Sequence, residues 1–310
     1  MPELPEVERF RELLLPLISK SSNLEIECPS KNPPKKFLTK SQIESFKCCR
    51  VTDVKRKGKL LCMVLQSSKK KCYCFLHMGM TGRISSQDSI LKLESLHGDD
   101  KYPPPHTHLI MRVDGYEVAY SDTRRFGGIA LSETLAALDD LAVDALALQE
   151  MNPDMAADLF VKKKRGIKSI LLDQKDAVSG VGNWVADEVL YQCEIHPDQS
   201  FLTNQESKLL VHVLPCILNK AVDCLHKDKP YPKEWIFNMR WEKKRKTNLN
   251  DFKGRTISFI ISGGRSSAIV KSVQRLYKRS QSNEGTEISN DIILSNEYPQ
   301  TSSRQKTQHI

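Results

Sequence analysis

The first apolar positions, Leu4, Val7, Phe10, Leu13, Leu14, Leu17 and Ile18, recur every three or four residues. That period predicts a helix that buries one face, with Glu6, Glu8, Arg9, Arg11 and Glu12 on its charged side; Pro16 is expected to kink or end it. Strand-like stretches follow at Leu24 to Cys28, Leu60 to Leu65, Cys72 to His77, His108 to Val113, Glu117 to Ser121 and Gly128 to Leu131. Turn signals such as Gln66-Ser67-Ser68 and Asp114-Gly115 separate some of them, and the spacing predicts an antiparallel β-sandwich rather than alternating strand and helix. Pro103, Pro104 and Pro105 mark a loop before the chain returns to the sheet. From about Leu135 to Lys227 the period is helical. Thr203 and Glu206 have capping-box spacing, Leu210, Val213, Leu214, Ile217, Leu218, Ala221 and Leu225 form a core face, and Pro215 is expected to bend that helix. After a segment rich in Lys and Arg from Tyr231 to Asn250, Thr256 to Ile261 and Ser267 to Val270 flank a Gly263-Gly264 turn, a hairpin pattern. Beyond Lys278 the chain is polar, poor in aromatics and expected to be disordered.

With 310 residues, 39% of them hydrophobic, the chain is long enough for more than one core. No run of about 18 apolar residues suggests a membrane span, and the N-terminus lacks the apolar region of a signal peptide. The net charge is +9, and the pI is near 9.0. From Arg279 onward three cations stand against four carboxylates, so the basic excess lies in the body. Such an excess suits a polyanionic partner, most commonly nucleic acid, or a merely solvated surface, and composition leaves both readings open. Nine cysteines occur without a Cys-x-x-Cys pair, and none follows Cys224. This predicts free thiols in a reducing compartment and excludes a four-cysteine zinc site near the C-terminus.

Several stretches carry candidate chemistry. Removal of Met1 makes Pro2 an N-terminal secondary amine beside Glu3, and an α-amino group titrates near ~8, low enough for part of it to be a free nucleophile. Pro followed by acidic residues is equally an ordinary helix start. Lys55-Arg56-Lys57-Gly58-Lys59 brings four cations to the mouth of a strand, either as a solvated edge or to bind phosphate. Met80, in His77-Met78-Gly79-Met80, and Phe126, in Asp122-Thr123-Arg124-Arg125-Phe126-Gly127, fall at turns. There they either fold back on the core or stand out as wedges that unstack DNA. Gly180-Val181-Gly182-Asn183 opens a helix whose amides suit a phosphate, with Asn183 as a side-chain donor. A dinucleotide site is disfavoured there because no strand is expected to precede it. Arg265 sits at the hairpin tip.

Together these stretches resemble the formamidopyrimidine-DNA glycosylases of the Fpg/Nei superfamily, over roughly Met1 to Arg279. The match rests, in order, on the N-terminal Pro-Glu-Leu-Pro-Glu-Val-Glu, Lys59, His77 to Met80, Asp122 to Gly127, and Gly180 to Pro197 ending in Ile195-His196-Pro197. The resemblance implies an α+β multidomain fold. Residues 1–132 are then an N-terminal helix and β-sandwich, 133–250 a helical domain with a helix-two-turn-helix motif, 251–278 a zincless β-hairpin finger of the plant and fungal type, and 279–310 a disordered tail. It further implies a bifunctional DNA glycosylase and AP lyase of base excision repair. In that reading Pro2 forms a Schiff base with C1′ of the damaged nucleotide, Glu3 is its acid–base partner and Lys59 assists. Met80, Arg124 and Phe126 fill the space left by the extruded base. Asn183 and Arg265, the latter grouped with the catalytic residues, grip the flanking phosphates, and His106 and Lys163 match further DNA contacts. The implied partner is double-stranded DNA holding oxidised purines or abasic sites. No metal, cofactor or membrane is expected, 8-oxoguanine is expected to be a poor substrate, and the protein is expected to be monomeric and nuclear, because a Pro2 N-terminus disfavours a cleaved leader. The rivals are a catalytically silent DNA-binding protein and a nucleotide-cofactor enzyme built on Gly180-Val181-Gly182.

Overall fold

A computed structural model describes residues 2–46, 48–89, 101–161, 163–241 and 249–277. The expected disordered tail, residues 279–310, lies outside the described residues, as does part of the Lys- and Arg-rich segment. Helix α1 (Leu4–Leu14) forms where the apolar period placed it and passes at Pro16 into a short 3-10 turn, Leu15–Leu17. Then come β1 (Glu25–Glu27), α2 (Lys40–Phe46), β2 (Arg50–Lys57), β3 (Leu60–Gln66), β4 (Lys71–His77), β5 (Gly82–Ser86), β6 (Thr107–Val113), β7 (Tyr116–Asp122) and β8 (Gly128–Ser132). They make two four-stranded antiparallel sheets, ordered β2-β3-β4-β8 and β1-β6-β7-β5. A shared core of Val51, Leu61, Met63, Leu65, Leu76, Ile84, Leu109, Met111 and Tyr120, closed by Val7, Phe10 and Leu14 of α1, is the expected sandwich.

Two strands of that sandwich escaped the period-two pattern. In β2 a register irregularity between Val51 and Asp53 brings Val51 and Val54 to the same buried side, and three-residue spacing hides a strand. The cations of residues 55–57 therefore belong to β2, and Lys59 lies in the turn between β2 and β3. β5 is polar yet wholly buried, because β7 covers its edge and α1 packs against it.

The second half contains α3 (Ala136–Asp139), β9 (Val143–Asp144), α4 (Pro153–Val161), α5 (Ile167–Leu172), β10 (Val178–Ser179), α6 (Asn183–Gln192), α7 (Asn204–His226) and α8 (Phe237–Arg240), then the hairpin β11 (Ser258–Ser262) and β12 (Arg265–Ile269). Contrary to the sequence reading, a strand does precede the Gly180 turn. β10 has two residues and pairs in parallel with β9, too short to leave a periodic signal. The expected capping box opens α7: the Thr203 hydroxyl accepts the Glu206 N–H at 3.1 Å and the Glu206 carboxylate accepts the Thr203 N–H at 2.8 Å. Pro215 lies inside an uninterrupted α7. By length and composition α7 is apolar enough to cross a bilayer, yet Leu210, Leu214, Leu218 and Ala221 are core residues packed with α1, α4 and α6.

The hairpin is fastened to the helices in two ways. Ile257, Ala268 and Val270 pack with Tyr191, Ile236 and Leu249 in a small core. Beside it Asp187 of α6, which is buried, accepts Lys168 Nζ at 2.6 Å, an Arg240 guanidinium N–H at 3.0 Å and the Ala268 backbone N–H at 3.2 Å. Lys168, fully buried on α5, also donates to the Ser267 hydroxyl. One carboxylate thereby ties α5, α6, α8 and β12 together.

Candidate active site

Pro2 and Glu3 precede the first turn of α1, and both are buried. Glu3 is the N-cap residue, and Glu6 returns its carboxylate to the Glu3 N–H at 2.8 Å, a capping box with Glu at both positions. The Glu3 carboxylate itself reaches the N-terminus of α6, where it accepts the N–H groups of Trp184 at 2.9 Å and Val185 at 3.1 Å. The positive end of the helix dipole faces it there. A Cβ on Gly182 would lie 2.3 Å from the Glu3 carboxyl carbon, so only glycine permits this seat. The amides expected to cradle a phosphate are thus taken by a side chain of the protein. Leu4 secures the approach: its N–H donates to Gly180 O at 3.1 Å.

Lys59 comes from the sandwich, in the turn between β2 and β3. Arg56, mostly buried, pairs with Glu8 of α1 at 2.6 Å and with Asp144 of β9 at 2.5 Å, while Asp144 accepts the Gly58 N–H at 2.7 Å. This clamp fixes the turn between β2 and β3 against the helical half, with Gly58 at φ +57°. Lys59 Nζ then donates to Val181 O at 2.8 Å. Desolvation holds the Lys59 ammonium below its ordinary pKa and the charge of Arg265 adds to this, while Glu3 and Glu6 oppose it. From α6, Asn183 Nδ2 donates to Ser266 O at 3.1 Å, which fixes the residue next to the exposed Arg265, whose charge reaches Lys59. Pro2, Glu3, Lys59, Asn183 and Arg265 therefore converge from four separate elements, although residues 2 and 265 lie at opposite ends of the described chain.

The remaining candidates lie on other elements. Met80 is half-buried in the turn between β4 and β5, whereas Arg124 and Phe126 are exposed in the loop from β7 to β8. Phe126, 59% exposed, does not fold back on the core, and the Arg124 guanidinium lies 4.7 Å from its ring centre. His106 is exposed at φ +58° just before β6, and its carbonyl accepts the Asp122 N–H at 3.1 Å. Lys163 is engaged by the carboxylate of Asp176, which also pairs with Arg165.

Comparison with known proteins places the chain in a family. A family model described as the formamidopyrimidine-DNA glycosylase N-terminal domain matches residues 1–129, and one for the helix-two-turn-helix domain of the same enzymes matches residues 141–228. A formamidopyrimidine-DNA glycosylase of Arabidopsis thaliana is 32% identical over 287 residues, covering 89% of this chain and 72% of its own. The chain belongs to the formamidopyrimidine-DNA glycosylase family. A member from Gluconobacter oxydans is 30% identical, and the match covers 72% of this chain and 78% of that relative. Among solved structures, the Lactococcus lactis enzyme in complex with DNA containing an abasic site has a TM-score of 0.69 at 24% identity, covering 88% of this chain and 100% of that one. The Thermus thermophilus protein gives 0.65 at 25% identity, covering 89% and 100%.

Within this candidate site, sequence reasoning missed Glu6, placed by its pattern on the charged outer side of α1. The structure buries it, and Tyr231 donates its hydroxyl proton to the carboxylate at 3.1 Å from a nest of Trp184, Trp235 and Phe237 rings. The available signal was its three-residue spacing from an N-cap Glu. Burial, reinforced by the charge of Glu3, pushes the Glu6 carboxyl up to about 7 from 4.5. The folded pKa exceeds the unfolded one, so the stability carried by neutral Glu6 is complete below pH 4.5 and is lost as pH rises through about 7. Thermal melts of Glu6→Gln should therefore fall less steeply than those of the wild type across that window. Parallel curves would show that Glu6 does not carry this proton.

Proposed function

We propose that Pro2, once Met1 is removed, attacks C1′ of a damaged deoxynucleotide. The chain is a DNA glycosylase of base excision repair, and this is the reading of its chemistry that the site supports best. The C1′–N bond breaks, its electron pair leaves with the base, and the base takes up a proton. The amine then gives up its proton and the C1′–O4′ bond opens, O4′ taking up a proton, to leave an iminium; loss of the C2′ proton that it acidifies expels the 3′-phosphate by β-elimination, loss of the C4′ proton then expels the 5′-phosphate by δ-elimination, and the strand is nicked. Glu3 donates and accepts the protons needed to open the sugar ring. Lys59 assists beside it. Met80, Arg124 and Phe126 fill the vacated stack, Arg124 facing the orphaned base, while Asn183 and Arg265 grip the flanking phosphates and His106 and Lys163 make further DNA contacts.

The observation that carries this reading is the seat of Glu3: a buried carboxylate next to Pro2, held on the Trp184 and Val185 amides of α6, with Lys59 bonded to Val181, three residues before Trp184. The substrate is double-stranded DNA with oxidised purines, formamidopyrimidines above 8-oxoguanine, or with abasic sites. The protein acts as a nuclear monomer and not at a membrane. The 251–278 hairpin serves as a zincless finger: its strands contain no cysteine, and the match to the plant relative covers 89% of this chain against 72% for the bacterial one. The divisions at 132 and 250 separate the sandwich from the helical domain and the latter from the finger. Borohydride reduction on a duplex containing an abasic site tests the chemistry. A covalent protein–DNA adduct is expected at the N-terminal residue, and absence of any adduct with intact enzyme would overturn the proposal.

A further inference from the structure

The turn carrying Met80 and the loop carrying Arg124 and Phe126 both cross from one sheet of the sandwich to the other, Met80 from β4 to β5 and the loop from β7 to β8. They meet at two residues that point inward. Asp122, fully buried, accepts the Thr81 hydroxyl proton at 2.5 Å on one carboxylate oxygen, which also receives the Arg124 N–H at 3.2 Å; its other oxygen accepts the Gly127 N–H at 2.8 Å. The Thr81 hydroxyl oxygen in turn accepts the Arg124 N–H at 3.1 Å. The backbones touch as well: a Cβ on Gly79 would lie 2.4 Å from the Gly127 nitrogen and from the Phe126 carbonyl carbon. Asp122 is itself held by its backbone, its N–H donating to His106 O and its carbonyl lying 3.0 Å from His108 Nε2.

We infer that Thr81 and Asp122 act as a bolt that makes the Met80 turn and the Arg124–Phe126 loop one rigid wedge, and that this rigidity is needed to extrude a base that is still paired. The inference rests on the reading of Met80, Arg124 and Phe126 as void-filling residues. Its physical basis is that extrusion costs a few kcal/mol of stacking and pairing, and a loop free to yield deforms before the duplex does. Thr81 and Asp122 lie behind the wedge, so they are positioning residues. Their effect should appear only where DNA must be opened.

Thr81→Val keeps the shape and removes the hydroxyl. On a duplex with a paired formamidopyrimidine it is expected to slow single-turnover excision about tenfold, the scale of one hydrogen bond to a charged acceptor. The fluorescence rise of a 2-aminopurine placed beside the lesion should be delayed equally. Borohydride trapping at an abasic site in a single-stranded oligonucleotide, where no pair is opened, should stay within about twofold. Thr81→Ser should restore the duplex rate, and Asp122→Asn should reproduce the Thr81→Val pattern. Equal loss on both substrates, or no loss on the duplex, overturns the bolt. Phe126→Ala separates the two ideas: if it leaves duplex excision unchanged, the wedge reading itself fails. If it slows excision while Thr81→Val does not, only the bolt is wrong.

Discussion

Glu3→Gln is expected to lower base excision by about 10²- to 10⁴-fold, the usual loss on removing a general acid–base group. Affinity for a non-cleavable abasic duplex should be retained. The residue is 2% exposed and its two carboxylate oxygens are each occupied by an α6 amide. Glutamine keeps the volume but turns an NH2 toward one of those N–H donors and carries no charge to exchange protons. Single-turnover excision measured beside a gel-shift titration decides the matter. Loss of both activities together would mean that Glu3 serves the fold as N-cap of α1, and excision near the wild-type rate would remove it from the mechanism. An N-terminal extension gives the complementary result. It blocks the amine, so borohydride trapping should vanish, whereas Glu3→Gln leaves the amine in place.

Asp187→Ala is expected to cost about 3–5 kcal/mol of stability, the range for removing one partner of a buried ion pair. The substitution strands Lys168, whose side chain is 0% exposed, and Arg240, at 9%, and it deprives the Ala268 N–H of its acceptor. Because these groups join β12 to α5, α6 and α8, the hairpin bearing Arg265 should become the first segment cut in limited proteolysis. Urea unfolding measures the loss. Replacing the charges together, as Lys168→Met, Asp187→Leu and Arg240→Met, should recover much of it, since the penalty belongs to stranded charge rather than to the missing pair. A loss below about 1 kcal/mol for the single variant would show that the cluster does not fasten the finger.

The elements that the sequence marked are those whose periodicity survives in the fold. Leu4 to Leu14 is a helix because its apolar residues share one side, and β3, β4, β6, β7 and β8 alternate or run apolar between turns. Thr203 with Glu206 marked a helix start, and Gly263-Gly264 a hairpin, because caps and tight turns depend on a few adjacent residues. β2 was lost to a register shift, and β5 to its polarity, since Arg83, Ser85 and Ser86 are buried by what lies on either side of them. The candidate site divides in the same way. The sequence by itself determined which candidate chemistry was present: a proline behind Met1 whose amine its removal would free, a carboxylate at Glu3, a lysine at 59, an arginine on a tip at 265. Only the tertiary structure decided that the α6 amides receive Glu3 instead of a phosphate, that Glu6 is buried against Tyr231, and that the residue capping α1 meets a helix 181 positions away. Periodicity reports that a face is buried but not what buries it, and a site made of contacts between distant segments exists only once those segments have packed.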